Sequence, residues 1–184
     1  MAALALAAVI GYLVGSVSPA TLLARARGVD LRSIGSGNPG ASNAGRALGR
    51  RTGVVVAVLD VAKGAVPAAC FAALVDHRAG LVAGLAAVVG HVSSPFLKGR
   101  GGKGAASAAG AVLGIHPLWV VFVIATWVLV LAASRWIALA SILAALSVLA
   151  IAVIADQDLL WAAAIAGIVV LRHTGNITAR VRRT

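Results

Sequence analysis

Three short stretches of the sequence join cations to small residues, amides and imidazoles in a way suited to phosphate. The first reads Gly35-Ser36-Gly37-Asn38-Pro39-Gly40-Ala41-Ser42-Asn43, followed by Arg46. Small residues let the backbone bend until successive N–H groups converge, which makes an anion-binding hollow. Arg46 adds a planar, forked cation that matches phosphate geometry. The second runs Gly90-His91, then Lys98-Gly99-Arg100-Gly101-Gly102-Lys103-Gly104, and opens into a short apolar run. If that run is helical, its first N–H groups and its dipole favour phosphate there. The third, Arg172-His173-Thr174-Gly175-Asn176, ends the last apolar run. His173 and Asn176 stand three apart, so on a helix they share a face and can reach one ligand.

Two familiar nucleotide motifs are excluded. Gly35-x-Gly37-x-x-Gly40 matches a dinucleotide pattern, with Asp60 twenty residues on. That pattern needs a strand before it, and here Asp60 falls within an apolar helical segment. Lys103 is followed by Gly104, where a phosphate-binding P-loop needs Ser or Thr. Asp60 and Lys63, themselves three apart, are ionisable groups at membrane depth, and such groups pair, line a cavity or serve a site. No carboxylate cluster or Cys/His set in the sequence offers metal ligands, so no metal or cofactor is expected. The single cysteine, Cys70, sits in an apolar run and reads as a small core residue. The residues alone describe a pocket for a phosphorylated ligand beside lipid, and leave open whether that ligand is moved or chemically changed.

What positions these stretches follows from composition. Of 184 residues, 61% are hydrophobic and 11% charged, and mean hydropathy is +1.01. A soluble domain has roughly 45–50% apolar and about 25% charged residues. The formal charge of +11 would suit nucleic acid in a soluble chain, but too few polar residues remain to cover a globule. A nucleic-acid partner is therefore excluded and an all-α integral membrane protein is predicted, because open strands cannot span lipid. Seven apolar segments are expected, at 2–24, 53–75, 79–96, 104–115, 118–133, 137–155 and 159–171, the fourth and seventh short. They form one transmembrane domain over 1–184. The first lacks a basic leader and is too long for a signal peptide. The breaks at 25–52, 97–103, 134–136 and the tail from 172 hold fourteen of the sixteen cations, Arg180, Arg182 and Arg183 among them. The alternate breaks hold Arg78 and three of the five carboxylates. Cations are retained on the cytoplasmic side, which puts the amino terminus outside and the carboxyl terminus and all three clusters inside.

At these residues the chain resembles the bacterial acyl-phosphate:glycerol-3-phosphate acyltransferase family, over its whole length and in order. The family's first motif is similar to Gly15-Ser16, Ala20, Leu22-Leu23, Arg25, Gly28-x-Asp30, Arg32, Gly35-Ser36-Gly37-Asn38-x-Gly40-Ala41-Ser42-Asn43 and Arg46. Its second resembles Gly90-His91, Phe96-Leu97 and Gly101-Gly102-Lys103-Gly104, and its third Arg172-His173 and Asn176-Ile177. Asp60, Lys63-Gly64 and Arg135 with Leu139-Ala140-Ser141-Ile142 also have counterparts. Departures are Thr21 for Tyr, Ser42 for Thr, Ser93-Ser94 for Phe-Pro, Gly99 for Phe, Arg100 for Lys and Ala138 for Ser. Loss of the aromatics is expected to loosen packing at the acyl entrance, and Ser141 is a weak substitute for the serine missing at 138.

The resemblance implies transfer of a fatty acyl chain from acyl phosphate to the sn-1 hydroxyl of glycerol 3-phosphate. The products are lysophosphatidate and phosphate. It implies no cofactor, lipid at the acyl entrance, and a soluble enzyme elsewhere that makes acyl phosphate. Ser36, Arg46, Lys103, His173 and Asn176 are the expected catalytic set. Gly35, Gly37, Asn38, Gly40, Asn43, His91, Gly101, Gly102, Gly104 and Ser141 are the expected substrate contacts. Either His173 or the phosphate of glycerol 3-phosphate takes the hydroxyl proton. A transporter of an organic phosphate is the rival from another class, and a protein whose basic loops merely hold anionic headgroups is a second.

Overall fold

The computed structural model describes residues 1–181, with side chains to residue 178. The tail cations Arg180, Arg182 and Arg183 lie outside the described side chains. Among the described residues the regular elements are helices, with no strand. The helices are α1 (Ala2–Ser16), α2 (Pro19–Arg25), α3 (Ala41–Leu48), α4 (Arg50–Leu74), α5 (His77–Val92), α6 (Ala105–Ile115), α7 (Pro117–Ser134), α8 (Ile137–Ala155) and α9 (Leu159–Val181). Six stretches are long and apolar enough to cross a membrane, α1–α2 acting as one of them. α6, with 11 residues, is about half the length a hydrocarbon core requires.

Small residues set the packing. α1 lies along α5 and α6 along α4. A Cβ on Gly11 or Gly15 would strike the backbone at Ala83 or Ala87, and one on Gly64 or Gly110 would strike Ser107 or Val61. Helices in lipid gain little from hydrophobic burial against one another, so close backbone approach at such spacings holds them together. Val112, Val148, Ile165 and Val169 fill the interior between α6, α8 and α9. Trp161 Nε1 donates to Leu81 O at 2.9 Å, fastening α9 to α5.

The first expected segment is broken at Val17, where ψ swings to 128°. Pro19 has no N–H to give and disfavours helix at the residue before it, and Ser18 instead caps α2 by accepting from Thr21 N. The break frees two carbonyls at membrane depth. Ser94 Oγ donates to Ser16 O at 2.7 Å, and Lys63 Nζ donates to Val17 O at 2.8 Å. This accounts for both Lys63 and the unusual Ser94, which is buried on the α1 side.

Other expectations need correction. The polar stretch 25–52, a break between apolar segments, contains a helix of its own, α3. Its Gly45 looks like a breaker but is where α3 crosses Gly53 of α4 at close range. The last segment does not stop at 171: α9 runs on to Val181, because leaving the bilayer removes no backbone hydrogen bond and no proline follows. Cys70 is exposed on the outer side of α4 and is not a core residue. Short connections make neighbouring helices antiparallel, so the starts of α4, α6 and α8 share one end of the bundle with the three motifs. The starts of α5, α7 and α9 share the other. There His77 and His116 meet Asp158, so the structure assembles a His/Asp set that the one-dimensional reading found nowhere.

Candidate active site

A cavity of about 540 Å³ opens at the motif end of the bundle, a size suited to a small ligand. Its polar end is built from two helix N-termini. Gly40, Ala41 and Ser42 open α3, and Gly104, Ala105 and Ala106 open α6, all lining the cavity. Both caps are glycine, with no side chain accepting from the first-turn N–H groups. The N–H groups of Ala41, Ser42, Ala105 and Ala106 precede the first intrahelical bonds, and both ends carry the positive pole of the dipole. Around them stand Arg46, Lys103 and Arg135 against a single carboxylate, Asp60. Burial pushes the Lys103 ammonium below the usual lysine value, and the neighbouring Arg46 and Arg172 push it the same way. A dianion at this end would relieve both costs.

The first motif serves the site differently from a free backbone cradle. Ser36 and Asn38 line the cavity, but Gly37 N–H donates to Ile34 O at 3.0 Å and Ser36 N–H to Asn43 Oδ1 at 3.1 Å. Asn43 Nδ2 in turn donates to Leu31 O at 3.0 Å. Asn43, which also lines the cavity, is 2% exposed, and its amide holds the loop over α3. Gly35 and Gly37 do not line the cavity; their φ values of +56° and +64° make the turn that only residues without a Cβ adopt at low cost. Asn43→Ala, by orphaning a buried N–H and a carbonyl, is expected to cost about 2–4 kcal/mol of stability. Asn43→Asp keeps the acceptor yet faces Leu31 O with an anion, so it should rescue little; thermal denaturation in detergent measures both.

The second motif divides in the same way. Lys103 and Gly104 line the cavity, as does His91. Gly101 and Gly102 do not: their N–H groups donate to Val92 O and His91 O. Their carbonyls accept from Arg172, at 3.1 Å from Nη2 and 3.2 Å from Nε. A Cβ on Gly102 would run into the His91 ring. These two glycines pack the loop against His91 and bind it to α9. His91 Nδ1 lies 3.6 Å from Asp60 Oδ1, the oxygen that Lys63 Nζ approaches at 2.9 Å. The buried pair therefore ties α4 to the α1–α2 break through Lys63 and faces the cavity through Asp60.

The third motif is helical. His173 and Asn176, one turn apart on α9, both line the cavity. His173 Nδ1–H donates to Val169 O at 2.8 Å; the carbonyl can only accept, so Nδ1 carries the proton and Nε2 of the neutral ring is an acceptor. Ser141 also lines the cavity and accepts from Trp127 Nε1 at 3.3 Å. The sequence reading assigned no site role to Arg135, Trp136 or Trp127, which complete the wall. Arg135 ends α7 in the left-handed region, at φ 53°, and Trp136 follows it. A cation and an aromatic crowded into a two-residue connection was the available signal. Beyond them, Val123, Ile124, Val148 and Ile165 make an apolar arm.

Comparison with known proteins places the chain in a family. A family model for glycerol-3-phosphate acyltransferase matches residues 5–183. The chain belongs to the glycerol-3-phosphate acyltransferase family. Within it, the chain is 42% identical to the glycerol-3-phosphate acyltransferase of Geobacter sulfurreducens, over 91% of this chain and 89% of that one. It is 38% identical to that of Aquifex aeolicus, over 92% and 91%. Its fold matches a crystal structure of PlsY, an integral membrane glycerol 3-phosphate acyltransferase, in the glycerol 3-phosphate form. The TM-score is 0.93 at 35% identity, with 97% of this chain and 92% of that chain covered. A second structure of PlsY, in the lysophosphatidic acid form, matches with a TM-score of 0.90 at 34% identity, with the same coverage. Together with its apolar helices, this family membership makes the chain a multi-pass integral membrane protein.

Proposed function

We propose that this cavity transfers a fatty acyl group from acyl phosphate to the sn-1 hydroxyl of glycerol 3-phosphate, giving 1-acyl-sn-glycerol 3-phosphate and inorganic phosphate. The observation that carries this reading is one cavity with two uncapped helix N-termini and three cations at one end and an apolar arm at the other. The phosphates of both reactants belong at the cationic end and the acyl chain in the apolar arm. The hydroxyl oxygen attacks the acyl carbon, the bond from that carbon to the phosphate oxygen breaks, and phosphate leaves with the electron pair. Arg46, Lys103 and the N-termini stabilise charge that grows on the departing phosphate and on the carbonyl oxygen. Ser36 and Asn176 hold acceptor phosphate. The positive-inside distribution supports a cytoplasmic opening, where a soluble enzyme would supply acyl phosphate.

The hydroxyl proton goes to the phosphate of glycerol 3-phosphate, whose second ionisation near pH 6 makes it a competent base, while Nε2 of His173 fixes its position. His173→Gln is then expected to raise KM for glycerol 3-phosphate about tenfold with kcat nearly unchanged. A large fall in kcat at saturating substrate would instead make His173 the base. The reading as a whole is tested by incubating purified protein in detergent with acyl phosphate and labelled glycerol 3-phosphate, without metal or coenzyme A. A lipid-soluble labelled product is expected. Activity only with an acyl thioester would overturn the donor, and uptake of label into vesicles without acylation would favour a transporter.

A further inference from the structure

At the end of the bundle remote from the cavity, three residues far apart in sequence converge. His77 begins α5, His116 caps α7 and Asp158 lies immediately before α9. His77 Nε2 is 2.7 Å and His116 Nε2 2.8 Å from the same carboxylate oxygen, Oδ2 of Asp158. One donor atom from each, all three within 4.8 Å of one another, surrounds a common point. We propose that His77, His116 and Asp158 form a binding site for a first-row divalent transition metal of the Zn²⁺ class, with water in the remaining position.

The donor set and its support both favour this. Two imidazoles and a carboxylate with an open fourth position is a ligand combination that Zn²⁺ accepts, at about 2.0–2.2 Å from each donor. Tetrahedral ligands at those lengths are about 3.3 Å apart, so seating an ion takes a modest withdrawal of Asp158 Oδ2 from the two nitrogens, which lie 2.7 and 2.8 Å from it. The support is rigid where it must be. The His116 ring stacks on Trp119 with centroids 3.8 Å apart and planes 10° off parallel, and Trp161 meets the same ring edge-on with centroids 6.3 Å apart. His116 is 11% and Asp158 16% exposed, while His77 is 53% exposed. Two ligands are thus held and the third is free to close from solvent, which also gives the ion its way in. Asp158 takes a left-handed conformation, φ 48°, that turns its side chain toward the two rings. The nearby Asp76 is not a further ligand in this arrangement, since Oδ1 caps α5 by accepting from Ala79 N at 2.7 Å.

An ion here would clamp the α4–α5, α6–α7 and α8–α9 connections at once. Because it sits at the opposite end from Lys103 and His173, it would fasten the bundle and take no part in acyl transfer. The test uses full-length, tag-free protein, stripped with chelator and titrated with Zn²⁺ alone. Binding should saturate at about one ion per chain and raise the thermal midpoint. His77→Ala, at an exposed position, should weaken binding at least about tenfold and abolish the thermal shift while leaving acyl transfer intact. His116→Gln, which keeps a polar side chain over Trp119, should do the same. Failure of the unsubstituted protein to take up a stoichiometric ion would show that the cluster is only a hydrogen-bonded clamp, and would overturn the proposal. So would Zn²⁺ binding of equal strength in both variants.

Discussion

Lys103→Met is expected to lower kcat/KM by about a thousandfold, or ~4 kcal/mol of transition-state stabilisation, while leaving the fold at least as stable. Methionine retains most of the stem, so packing at the opening of α6 is kept and only the charge is lost. That charge is costly in the empty site, since burial and the neighbouring Arg46 and Arg172 all disfavour it. Its removal relieves the fold, and the loss appears only when an anion must be held. Activity and thermal midpoint should therefore move in opposite directions, or activity alone should move. A protein that merely rests its basic loops on headgroups would tolerate the change.

The same residue sets a pH dependence whose sign is determined. The folded-state pKa of Lys103 lies below the ordinary lysine value of 10.5, so the free enzyme loses this ammonium earlier than a free lysine would. Activity is present below that pKa and is lost as pH rises through it. Stability changes the other way in the window between the two values, because the unfolded chain there binds more protons. Bound phosphate favours the ammonium and moves its pKa up. The alkaline limb of kcat/KM, which reports free enzyme, should thus fall at lower pH than the limb of kcat. Lys103→Arg should remove the limb from both profiles.

Lys63→Met is expected to be the most damaging change to the fold, at about 3–5 kcal/mol. Lys63 and Asp60 are 7% and 2% exposed. Losing the ammonium leaves the carboxylate without its ion-pair partner and leaves Val17 O, freed by the α1–α2 break, without its donor. Converting both, Asp60→Asn with Lys63→Met, removes the uncompensated charge, so the double variant should be more stable than Lys63→Met alone. Both should be poorly active, because Asp60 lines the cavity. Thermal midpoints of the two single variants and the double, measured in one detergent, give the coupling. Simple additivity would mean that the pair is not the link between α4 and the break.

Much of this was legible in one dimension. Hydropathy and the alternation of cations between breaks depend on composition along the chain, so a helical membrane protein with its cations gathered at one end could be read directly. The types in the three motifs, with Lys103 before a helix start and His173 one turn from Asn176, pointed to the chemistry for the same reason. What sequence order could not reveal was which small residues line the cavity. Gly40 and Gly104 cap helices at the cavity, whereas Gly35, Gly37, Gly101 and Gly102 make turns and packing contacts behind it. They are the same residue type, and only their neighbours separate them. Asn43 lines the cavity as expected and also fastens the loop, a second task that sequence order hid because its partners Ser36 and Leu31 are brought to it only by folding.

Residue type and short-range spacing thus determined the solvent this chain lives in, the helical form of its segments and the expectation of an anionic ligand, because none of these needs to know which helices are neighbours. Tertiary structure decided the break in the first span, the course of α3, the joining of Arg135 and Trp127 to the site, and the meeting of His77, His116 and Asp158. Those depend on which helices lie side by side, and that is settled by backbone approach at glycine and alanine stripes, a pattern too permissive to choose partners until the whole bundle is assembled.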